Sequence, residues 1–65
     1  MRDINGEEFF VGDTLKVIKS SYPFKVGTVL VCVYDDGTSH CKFCEIGEDP
    51  EGDARWMTNR YLQKV

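Results

Sequence analysis

Apolar and polar residues alternate in short runs along this chain, and no window repeats at the helical period. The pattern predicts strands throughout. In FFVGDTLKVIKS a Gly12-Asp13 turn precedes Leu15, Val17 and Ile18, which places a first strand near residues 14–19. SSYPFKVG then interrupts it, because Pro23 lacks an amide donor and holds Tyr22 extended. From Thr28 to Tyr34 the run is nearly all apolar and strand-prone, as expected of a central strand covered on both sides. Asp36-Gly37 favours a type I′ hairpin, with SHCKFCEI as the returning strand. GEDPEGDA, residues 47–54, is too rich in Gly, Pro and acids for anything but a surface loop. After it come a short strand (ARWM), a single turn led by Thr58 or Asn59, and a terminal strand (QKV).

Five short strands, tight turns and one long early loop predict an all-β domain covering residues 1–65, a small five-stranded SH3-like barrel with a short turn before the last strand. An OB-like barrel is the alternative, but it typically needs more residues and a helix. A chain of 65 residues buries only about 60% of its unfolded surface. Small folds often add disulfides or metal to so thin a core. That makes CVYDDGTSHCKFC, with all three cysteines and the single histidine, worth testing as chemistry.

A two-residue turn at Asp36-Gly37 would set Cys32 opposite Cys41, Leu30 opposite Phe43, Val33 opposite His40 and Val31 opposite Lys42. Cys32, Cys41, Leu30 and Phe43 then share one face, and Cys44 lies on the other with His40 and Lys42. Zinc held by Cys32, His40, Cys41 and Cys44 would need those faces to converge through a kink at Lys42 and Phe43, so we expect no metal and no cofactor. A Cys32–Cys41 disulfide is sterically open, but the N-terminal MRDINGEEFF has no secretory pattern, and a cytoplasmic chain would keep three free thiols. A Cys-His nucleophile fails because residues 40 and 41 face opposite sides of a strand, so an enzyme is not expected.

Net charge is −3, but it is unevenly placed: residues 35–53 carry −6, while residues 14–34 and 54–65 carry +3 each. The acidic block includes Glu48, Asp49, Glu51 and Asp53 of the 47–54 loop. Such a loop keeps a protein soluble, and it can also meet a basic partner. The longest apolar run, TVLVCVY, is far below the roughly 20 residues that span a bilayer, so a membrane is not expected to be a partner. Tyr22, Phe24, Tyr34, Trp56 and Tyr61 lie near loops or strand ends, and of these Tyr22, Phe24 and Trp56 are the candidates for gripping an extended partner, although so small a core also has a use for Trp56 at its rim. Lys16, Lys19 and Lys25 around Tyr22-Phe24, with Arg55 and Arg60 around Trp56, form the competing pattern for nucleic acid, cations interleaved with stacking groups.

The stretches FFVGDTLKV, FKVGTVLVCV, DDG and WMTNRYL, in that order, resemble the small SH3-like proteins of bacteriophages and prophages. The resemblance covers residues 9–65; the cysteine-bearing hairpin and the acidic loop depart from it. It implies a barrel that binds a host protein and alters it. The expectation is therefore a non-enzymatic binding module, monomeric or weakly dimeric, acting in the host cytoplasm on a protein with a basic patch. Its contacts would be Tyr22, Phe24, Glu48, Asp49, Glu51, Asp53 and Trp56. A nucleic-acid-binding barrel and a structural adaptor of a larger assembly are the alternatives.

Overall fold

The computed structural model describes residues 1–19, 24–37 and 40–65. It is all-β. Five strands, β1 (Thr14–Val17), β2 (Val29–Asp35), β3 (His40–Glu45), β4 (Arg55–Thr58) and β5 (Leu62–Lys64), form one antiparallel sheet in the order β4-β3-β2-β1-β5. Each expected strand is present within two residues of its expected bounds. Between β4 and β5 lies a single 3₁₀ turn, Asn59–Tyr61, capped by Thr58, whose side chain accepts from the Arg60 amide.

That turn shapes the sheet. β4 and β5 are its two end strands, which in a flat sheet would lie four spacings, or about 19 Å, apart. Three 3₁₀ residues between them cover only about 8 Å, so the sheet has to curl. The concave side is filled by Phe9, Leu15, Val17, Phe24, Leu30, Cys32, Cys41, Phe43, Met57 and Leu62 in one cluster. Closure expected of a barrel is not reached, because no ladder joins β4 to β5 among the described residues.

The hairpin differs from expectation in its register. Leu30 pairs with Glu45 and Cys32 with Phe43, and beyond a bulge at Val33, Tyr34 pairs with Lys42 and Asp35 with Cys41. The cause lies in the turn. Type I′ needs positive φ at both central residues, yet Gly37 alone has it (φ 85°), and Asp36 does not. Instead the Asp35 carboxylate accepts from the Gly37 amide at 2.8 Å, an Asx turn that begins a longer connection. Since the bulge restores the pleat, Leu30, Cys32, Cys41 and Phe43 still face the core together.

Phe24, a candidate contact residue, is instead buried in the core, whereas Trp56, read both as a contact and as a residue for the core rim, is 48% exposed. Alternation along β4 explains the second: Met57 faces inward, so its neighbour faces out. Phe9 and Phe43, with ring centroids 6.2 Å apart, fill the centre instead.

Candidate functional site

The β3–β4 connection is an ordered acidic loop built by its own carboxylates. Asp49 accepts from the Glu51 amide through Oδ1 (3.0 Å), and its amide donates to Asp53 Oδ2 (3.1 Å). The Asp53 amide returns to the Asp49 carbonyl at 2.8 Å. Asp49 and Asp53 therefore fold the loop. Glu48 and Glu51 are exposed, and among the described residues their carboxylates have neither a hydrogen bond nor an ion pair. They remain the groups available to a partner.

Beside the loop, on the convex face, Tyr34, Lys42 and Trp56 lie in one row across β2, β3 and β4. Tyr34 and Trp56 meet edge to face with centroids 5.8 Å apart, and Lys42 Nζ lies 5.5 Å from the Trp56 ring centroid. Both rings are about half exposed. Cation–π and edge contacts of this kind pre-order side chains that would otherwise lose entropy on binding.

At the far end of β4 is an open cleft of about 790 Å³, lined by Asp3, Lys19, His40, Thr58, Arg60 and Tyr61 among others. Lys19 Nζ stands over the Tyr61 ring at 5.9 Å. Asp3 is committed elsewhere: its carboxylate accepts from the amides of Asn5 (2.9 Å), Glu7 (2.8 Å) and Lys64 (2.7 Å). The cleft thus joins Lys19 and Arg60, two of the five cations proposed for nucleic acid. Arg55 is not brought to them, since its guanidinium donates to the Gly52 and Ala54 carbonyls at the loop end of β4. Lys16 is on β1 opposite Gln63 and Val29, and Lys25 is exposed at a turn. Tyr22 lies outside the described residues.

Cys32 and Cys41 meet side chain to side chain, but Cys44 and His40 do not join them. Cys32 and Cys41 are in the core, while Cys44 is buried on the opposite side of β3, outside the core cluster, and His40 is exposed. No group of three or more metal-ligating side chains occurs among the described residues. All three cysteines are free thiols. Burial, with Cys32 and Asp35 close by, pushes the Cys41 thiol up to about 12. Burial likewise raises Cys44, helped by the carboxylates of Asp53, Glu48, Asp49 and Glu45. Because the thiolate is the reactive form, titration with a disulfide reagent at pH 8 should find all three unreactive in the folded chain and reactive in denaturant. Fast labelling of any one without denaturant would contradict this burial.

Sequence reasoning missed Asp3, which ties the N-terminal segment to β5. A D-x-N-G stretch carries an Asx-turn signal, but nothing local to it indicates Lys64. No helix among the described residues is long and apolar enough to cross a membrane. Comparison with protein-family models, with curated proteins and with solved structures finds no match to this chain.

Proposed function

We propose that this chain is a non-enzymatic binding module that engages a protein through its acidic β3–β4 loop and the adjoining Tyr34–Lys42–Trp56 row. The observation that carries this reading is two half-exposed, mutually packed aromatics beside an ordered loop with two uncommitted carboxylates. Aromatics provide contact area at low entropic cost, and the carboxylates select a partner with a basic patch. The resemblance to phage proteins adds the rest of the proposal: a phage-derived chain in the host cytoplasm whose partner is a host protein.

Reversing Glu48 and Glu51 to lysine is expected to weaken capture of a specific lysate protein by about tenfold at low salt, with the difference shrinking as salt rises. Asp49 and Asp53 are left intact because they fold the loop. Trp56→Ala is expected to weaken the same interaction by about thirtyfold, a hot-spot loss of about 2 kcal/mol. Undiminished recovery of that protein by both folded variants would sink the proposal. The second reading, a single-stranded nucleic acid, draws on Lys19 and Arg60 in one cleft, but the acidic loop at the other end of β4 repels a phosphate backbone. A filter-binding titration at low salt decides between them.

A further inference from the structure

The two ends of the sheet are treated differently. Along β5 the outer edge is covered by the N-terminal segment: the Ile4 amide donates to the Leu62 carbonyl at 2.8 Å, and the Lys64 amide to Asp3 Oδ2 at 2.7 Å. Along β4 nothing comparable occurs among the described residues. Among the described residues Arg55–Thr58 has no backbone hydrogen bond beyond its ladder with β3, and that ladder runs in unbroken register. β4 also has no proline and no bulge, two devices that discourage pairing at an edge.

Charge runs along this edge in one direction. Glu48, Asp49, Glu51 and Asp53 precede β4; Arg60 follows it, beside Lys19 in the cleft. A strand that is acidic at its head and basic at its tail complements itself when paired antiparallel and repels itself when paired parallel. We infer that a second copy of this chain adds to the open β4 edge in antiparallel fashion, so that each copy's acidic loop meets the Lys19–Arg60 cleft of the other. The pairing continues the sheet through both copies and brings the two Trp56 side chains to the same face, near the two-fold axis. An edge of four residues is short for a stable interface, so association is reversible and of micromolar strength or weaker. This inference does not depend on the proposed protein partner and is tested on the purified chain alone.

The experiment is sedimentation equilibrium of the full 65-residue chain over a concentration series at low and high salt, with amide NMR on the same samples. A salt-sensitive monomer–dimer equilibrium is expected, with shift changes centred on Arg55–Thr58. Two variants decide the charge pairing: Arg60→Glu, and Glu48→Lys with Glu51→Lys. Each alone places like charges together twice across the two-fold and should dimerise about tenfold more weakly or worse. Mixed one to one, they restore both contacts and should form a heterodimer. All three side chains are exposed, and a dispersed amide spectrum verifies that each variant folds. A native chain that stays monomeric at millimolar concentration overturns the inference, as does equal dimerisation of both variants or of the mixture and its components. Shift changes of the native chain centred away from β4 overturn it without any variant.

Discussion

Phe43→Ala is expected to leave the chain largely unfolded at 25 °C. Phe43 is fully buried at the middle of β3, opposite Cys32 and against the Phe9 ring. Truncating such a side chain costs about 3–5 kcal/mol, the transfer of its atoms plus the cavity they leave. A single core of this size rarely supplies more than about 3–5 kcal/mol in all, so the loss consumes the margin. Phe43→Leu, which keeps most of the volume, should remain folded with a cost of about 1 kcal/mol. Circular dichroism and amide dispersion of the two variants test this, and a cooperative alanine variant melting near the native temperature would refute it.

Asp3→Ala is expected to cost about 2–4 kcal/mol, because three backbone amides lose a charged acceptor in a nearly dry site. Asp3→Asn should do little better, since its amide nitrogen would face an N–H donor in place of one carboxylate oxygen. The acid dependence follows from the same geometry. Burial pushes the Asp3 carboxyl up, but the amides of Lys64, Glu7 and Asn5, with the Lys64 charge, more than offset it and hold it below its ordinary 3.8. The ionised form is therefore favoured by folding. Its contribution is complete above the unfolded value and fades as pH falls through the lower folded value. Urea unfolding of the native chain and of Asp3→Ala should differ most near neutral pH, and the difference should shrink as pH falls below 3.8. A gap independent of pH would mean that the carboxylate's charge plays no part.

The existence of the strands and their succession along the chain were legible because alternation, β-branched runs and Gly/Pro/Asp punctuation all act locally. Register was not: one side chain, Asp35, captured the Gly37 amide and lengthened the turn, and a bulge at Val33 compensated. The core face of the hairpin survived because burial of Leu30, Cys32, Cys41 and Phe43 constrains the pleat more strongly than turn type does. The acidic loop was evident from composition, but the division of labour within it, Asp49 and Asp53 inward to the backbone and Glu48 and Glu51 outward, required coordinates. The Tyr34–Lys42–Trp56 row was hidden for a similar reason, since it depends on three strands being in register. Asp3 and Lys64 meet across almost the whole chain, a separation that local patterns do not reach.

The pairing of β1 with β5 sets the order in which this fold can assemble. β2, β3 and β4 form a meander whose contacts are near neighbours in sequence, so the chain can reach them by closing short loops. Leu15 and Lys64, by contrast, are partners from opposite ends of the described chain. Their ladder, together with the Asp3 clasp beside it, can form only after the meander has shortened the distance between them. Until that ladder forms, the core face that carries Cys32 and Cys41 lacks Leu62 from its cover.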